Sequence, residues 1–227
     1  MSPILSTFSL GSRAQIRDLT MTYVAATTST TRSFTVPASA QAGDFVMYAT
    51  SSGFNSGDGD TSDSYLPSGW TRLYRLSFDG GTGEDSVHDR AYKFITSGDV
   101  SSSFNVAATD HAAYSIVALV FRPSKTCSVT IEDSQGGGST GDPASQNING
   151  TAVSTLPHLL LATYFAYDGS VTGRSWTGGT FTEESPAARF YTRYKMFAIG
   201  DTTENVTVDM GESGQHGHLY STILSFS

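Results

Sequence analysis

The feature that most constrains this chain is a stretch that occurs twice. Tyr92 to Val106 reads Tyr-Lys-Phe-Ile-Thr-Ser-Gly-Asp-Val-Ser-Ser-Ser-Phe-Asn-Val, and Tyr194 to Val208 reads Tyr-Lys-Met-Phe-Ala-Ile-Gly-Asp-Thr-Thr-Glu-Asn-Val-Thr-Val. Both open on Tyr-Lys, carry Gly-Asp six residues later and close on Val, at an offset of 102 residues. A period of that length is a whole small domain, so the chain reads as one module used twice. The flanks follow the same order. The chain's two Trp residues, Trp70 and Trp176, precede the two stretches. Asp44–Thr50 lies beside His158–Tyr164 further upstream. Downstream, Tyr114–Phe121 lies beside Tyr220–Phe226 at an offset of 106, which predicts about four extra residues before the last strand of the second half.

A chain of 227 residues has room for two such modules, each large enough to bury its own core. Only 15% of residues are charged, and Gly, Ser and Thr are abundant, which is the texture of strands and turns. The net charge is −8 and Lys and Arg form no cluster beyond isolated pairs, which argues against a nucleic-acid partner needing phosphate neutralisation. Cys127 is the only cysteine, so no intrachain disulfide forms and packing alone must hold the fold. No apolar run reaches the roughly 18 residues of a membrane span. The start, Met-Ser-Pro-Ile-Leu-Ser-Thr-Phe, lacks the charged opening and long apolar stretch of a secretion signal. A place of work outside the cell would be reached by another route, such as release in a particle.

Residues 1–18 stand apart. Ile4, Leu5, Phe8 and Leu10 make this stretch apolar but irregular, as expected of an extended docking arm. From Leu19 the chain alternates in short runs separated by turns. Leu19–Ala25, Ser33–Val36, Phe45–Thr50, Trp70–Phe78, Asp89–Thr96, Ser103–Ala108 and Ala113–Phe121 read as strands, with Pro37 stopping the second. Pro123-Ser124-Lys125 is the expected joint. Cys127–Glu132, Leu159–Ala166, Trp176–Thr182, Arg189–Ile199, Val206–Met210 and Leu219–Phe226 repeat the series, and Gln135–Gln146 reads as a Gly-rich loop. No segment holds a 3.6-residue apolar period. The expected fold is all-β: two tandem antiparallel β-sandwich, jelly-roll-like domains over 19–122 and 126–227, behind the arm.

Chemistry is sparse. Asp58-x-Asp60-x-x-Asp63 supplies oxygens for a cation but lacks the glutamate and fixed glycine of an EF-hand, so a solvated turn is the expectation and no metal or other cofactor is assigned. His216 and His218, two apart, would share one face of a strand and still lack a third ligand. His88 and Asp89 suggest a triad with a serine, but no Gly-x-Ser-x-Gly elbow frames one. Glu183 and Glu184 would point to opposite faces of a strand, which suits paired-carboxylate glycoside cleavage poorly. Tyr164, Tyr167, Tyr191 and Tyr194 are candidates for stacking on a sugar, and an exposed Trp70 or Trp176 would favour that reading.

Four segments carry a resemblance. Ile4-Leu5-Ser6-Thr7-Phe8-Ser9-Leu10-Gly11-Ser12-Arg13-Ala14 resembles the short opening segment of small tailed-bacteriophage virion proteins. Phe34-Thr35-Val36-Pro37-Ala38-Ser39-Ala40-Gln41-Ala42-Gly43-Asp44-Phe45, then Ser68-Gly69-Trp70-Thr71 and Tyr92-Lys93, resembles a β-sandwich module of phage structural and fibre proteins. The second half has Ser154-Thr155-Leu156-Pro157-His158 in place of the Pro37–Asp44 turn. The resemblance implies a virion component without enzymatic activity, a capsid decoration or cement protein or a piece of a tail or head fibre. Its implied partners are other virion proteins, in a symmetric homo-oligomer expected as a trimer. A receptor-binding module for a host-surface glycan is the alternative; neither nucleic acid nor membrane is an expected partner.

Overall fold

The computed structural model describes residues 19–54, 66–78, 85–106, 113–139, 146–148, 155–166, 175–177, 182–187, 190–201, 206–209 and 217–227. Among these the chain is all-β, apart from one 3-10 turn at Ser97–Asp99. The arm lies outside the described residues. No helix among those described is long and apolar enough to cross a membrane.

The first half contributes β1 (Met21–Ser29), β2 (Ser33–Thr35), β3 (Phe45–Phe54), β4 (Thr71–Phe78), β5 (Asp85–Phe94), β6 (Ser103–Asn105) and β7 (Ala113–Pro123). The second contributes β8 (Val129–Ser139), β9 (Gln146–Ile148), β10 (His158–Ala166), β11 (Ser175–Thr177), β12 (Thr182–Ala187), β13 (Phe190–Phe197), β14 (Val206–Asp209) and β15 (Gly217–Phe226). One antiparallel sheet runs β1-β7-β3-β5-β4 and the other β8-β15-β10-β13-β12. Position for position these are the same sheet. The short β2–β6 pair has its counterpart in β9–β14, to which β11 is added.

The ladders fix the equivalence residue by residue. Tyr92 faces Met47 across β5–β3, and Tyr194 faces Leu161 across β13–β10. Tyr23 faces Phe121 and Ile131 faces Leu224, and in each case the next residue, Val24 or Glu132, is a bulge. A bulge is a specific insertion into a ladder, so its recurrence after equivalent residues marks the two halves as copies of one backbone plan. The last strands correspond as Phe121 to Leu224, which differ by 103. The expected offset of 106 is therefore corrected: side-chain likeness had aligned the strands out of register. The Gly-Asp turns agree as well. Asp99 Oδ2 accepts the Thr96 backbone N–H at 2.7 Å, and Asp201 Oδ2 accepts that of Ala198 at 2.8 Å.

Alternation along the strands gives each large sheet an apolar inner face. Phe45, Met47, Leu119 and Phe121 from the first half meet Leu159, Leu161, Leu224 and Phe226 from the second in one buried cluster. The two sheets thus pack as a β-sandwich through equivalent faces, with β12 against β1 and β7. The Tyr23 ring stacks on Tyr194 at 5.7 Å and the Phe45 ring meets Phe226 edge-on at 5.1 Å. On its other face the first sheet carries a second core, in which Val46, Tyr48, Ala118 and Val120 lie against Phe34, Val36 and Trp70.

Two further expectations change. Gln135–Gln146 is not loop throughout: β8 continues through Gly136, Gly137 and Gly138 because β15 offers a complete partner ladder. Trp176–Thr182 is not one strand; its ends belong to β11 and β12, in different sheets.

Candidate functional site

The polar groups that the fold buries converge on β5. Val87 to Ala91 are all buried, an arrangement expected of a strand covered on both faces. Successive side chains point to opposite faces, so His88 and Arg90 face the second half while Asp89 faces the outer core. His88 and Asp89 therefore cannot form a His–Asp relay with each other.

On the outer face Asp89 is fully buried. Its carboxylate accepts from Arg72 Nε at 3.2 and 3.3 Å and from Arg72 Nη2 at 3.1 Å. Arg72 reaches it diagonally from opposite Ala91, two residues along β5 on the same face, and the bulge at Leu73 brings Arg75 directly opposite Asp89. Burial dominates all the same and pushes the Asp89 carboxyl up to about 6, although hydrogen bonds and charge from Arg72, and charge from Arg75, pull the other way. The register partner of Asp89 is Thr50, whose buried hydroxyl has no hydrogen-bond partner among the described residues.

On the inner face the sandwich grades from apolar to polar. Beyond Ala49 and Leu161, the next inward residues are Ser51, His88 and Ser115 on one sheet and Thr163 and Thr192 on the other, all buried. Arg90, 3% exposed, spans the gap and donates from Nη1 to Thr222 Oγ1 at 2.7 Å. The hydroxyls of Ser51, Thr163 and Thr192 make no hydrogen bond among the described residues. Ser51 is the cross-strand neighbour of His88, which makes it the serine nearest to a nucleophile–base pair. Among the described residues its Oγ makes no hydrogen bond, so no base among them activates it as a nucleophile. Chemically, this centre offers one carboxylate titrating near pH 6 and one buried guanidinium, both turned into protein. Sequence reasoning missed Arg72, Arg90, Ser51 and Thr222, because register alone brings them here.

The remaining candidates are dispersed. Trp70 is 5% exposed and ringed by Phe34, Tyr48 and Phe104 at 5.2–5.7 Å, so it is a core residue, not the wall of a groove. Tyr194 is buried with its ring against Tyr23 and Phe121. Tyr164 and Tyr191 are register partners of β10 and β13, and Trp176 is the partner of Val208. The side chains of Tyr164, Tyr191, Trp176, Glu183, Glu184 and His218 lie outside the described residues, as do Tyr167, His216, Asp58, Asp60, Asp63 and the arm residues Ile4, Leu5, Phe8 and Leu10. Among the described residues no group of three or more His, Cys, Asp or Glu is placed to hold a metal ion. No family model, no curated protein and no solved structure matches this chain.

Proposed function

We propose that this chain is a non-enzymatic structural component of a bacteriophage virion, decorating or cementing the capsid or forming part of a tail or head fibre. One observation carries the reading: two copies of one module meet through equivalent faces and share a core. A module that recognises its own copy through a self-complementary face follows the logic of symmetric assembly. In this reading the halves derive from one jelly-roll-like domain, now 19–122 and 126–227, and arm 1–18 anchors each chain to a neighbouring virion subunit. The segments that resemble phage virion modules supply the location, and a homo-oligomer, a trimer in this proposal, is its working form.

Two measurements test it. Mass spectrometry of density-purified particles from the producing culture should find this chain at a constant ratio to the major capsid protein; its absence from particles sinks the virion reading. Light scattering should find the full chain oligomeric and a chain beginning at Asp18 monomeric. Identical monomers would remove the arm as a self-assembly element.

A further inference from the structure

Two clefts open at the end of the sandwich away from the polar layer. The larger, about 520 Å³, is bounded by Gly43, Asp44 and Phe94 of the first half and by the joint from Arg122 to Cys127. The smaller, about 400 Å³, is bounded by Pro157, Met196, Ile199 and Asp201 of the second half and by Leu19 and Met21. The clefts are equivalent. Phe94 and Met196 correspond through the β3–β5 and β10–β13 ladders. The ladders and shared bulge that match Tyr23 to Ile131 likewise match Leu19 to Cys127. The strand ends agree again: Ser124 N–H donates to Thr20 O at 2.9 Å, and Ser227 N–H to Ser128 O at 3.1 Å.

In the larger cleft, the chain leading into Cys127 runs along the wall formed by the other half. Under the same correspondence the chain leading into Leu19 is residues 14–18, with Ile16 in the place of Ser124, Arg17 in that of Lys125 and Asp18 in that of Thr126. The smaller cleft differs in the sense this substitution requires. Its wall is Pro157, Met196 and Ile199: Met196 keeps an apolar side chain at the place of Phe94, and His158 and Ser225 stand at the places of the Asp44–Arg122 ion pair of the larger cleft. An apolar Ile16 suits that wall, and Asp201 on the rim complements Arg17.

We propose that residues 14–18 of the same chain cross the smaller cleft, Ile16 packing on Met196 and Ile199 and Arg17 pairing with Asp201. Docked so, the arm leaves the body from a fixed point. Phe8, six residues beyond Ala14, can reach roughly 20 Å beyond it when extended. Only the use of that reach to grip a neighbour rests on the virion reading; the docking itself does not.

The test is a disulfide trap in the full chain carrying Cys127→Ser, Ile16→Cys and Ile199→Cys, oxidised mildly and run on a non-reducing gel. A bond closed within one chain is the expected result. A covalent dimer would mean that a neighbour's arm fills the cleft and would overturn same-chain docking. No bond in a chain that keeps its circular dichroism spectrum and melting temperature would overturn docking altogether. If the triple variant fails to fold, trypsin decides with single changes. Met196→Asp should speed cleavage after Arg17 at least tenfold while leaving cleavage after Arg13 unchanged, and equal rates at Arg17 in both chains would refute the proposal. Particle composition is read separately, so the virion reading can fail while this docking stands.

Discussion

The two halves share a backbone plan but not their polar ties. In the first, Asp44 takes Arg122 Nε and Nη2 at 2.9 Å each, and Asp89 takes Arg72. The ladders place His158 and Ser225 in the second half where the first has Asp44 and Arg122. Tyr191 stands where the first half has Asp89, and Glu183, the register partner of Arg193, where it has Arg72, the register partner of Ala91. Both members of each ion pair have changed together. Removing one partner strands a buried charge, whereas exchanging both is nearly neutral. Core positions have been held more tightly: Phe45, Met47 and Phe121 answer to Leu159, Leu161 and Leu224, all buried and all apolar. Apolar packing at the shared face thus defines the module, while the Asp44–Arg122 and Asp89–Arg72 ion pairs are solutions particular to the first half.

The sharpest way to break this comparison is to cut the shared core from either side. Phe45→Ala should cost about 3–5 kcal/mol and Leu159→Ala about 2–5 kcal/mol. Each should leave a single unfolding transition by circular dichroism and by differential scanning calorimetry, because one core serves both halves. Two separated transitions in either variant would show that the halves melt independently.

Asp89 comes next, because no charge stands at its counterpart Tyr191. Its carboxyl rises from 3.8 to about 6 on folding, so the folded chain binds the extra proton across that interval. Stability should therefore fall as pH rises from about 4 to about 6, by on the order of 3 kcal/mol in total, and level off above. Urea melts at several pH values on the unaltered chain and on Asp89→Asn measure this. The variant should lose the slope over that window; an unchanged slope would assign it to other groups.

The smallest effect compares the two Gly-Asp turns. Asp99 caps Thr96 through both its N–H and its hydroxyl and pairs with Lys93 at 2.8 Å. Burial raises its carboxyl, but Lys93 and Thr96 outweigh this and hold it below the ordinary value. Its stabilisation is accordingly present above the ordinary carboxylate range and lost as pH falls through the lowered value. Asp201 caps Ala198 through an exposed turn in which Gly200 takes φ +93°, a conformation that glycine adopts without strain. Asp99→Ala should cost about 2 kcal/mol and Asp201→Ala about 0.5 kcal/mol by chemical denaturation. Equal losses would mean that the two turns carry the same load.

The amino-acid sequence by itself determined what depends on neighbours along the chain. Alternation and turn residues specified an all-β fold, Tyr-Lys and Gly-Asp marked the duplication, and the same alternation that set Glu183 and Glu184 on opposite faces also separates His88 from Asp89. The tertiary structure decided what depends on register. Matching Phe121 with Leu224 needed the ladders, because apolar strands of similar composition slide past one another in any alignment of letters. Three glycines at 136–138 hold strand only because β15 lies beside them. Arg90 meets Thr222 across 132 residues, and no local pattern marks either of them. Secondary structure follows from short-range preference. Which faces meet, and which buried charges find partners, follows from the packing of whole sheets.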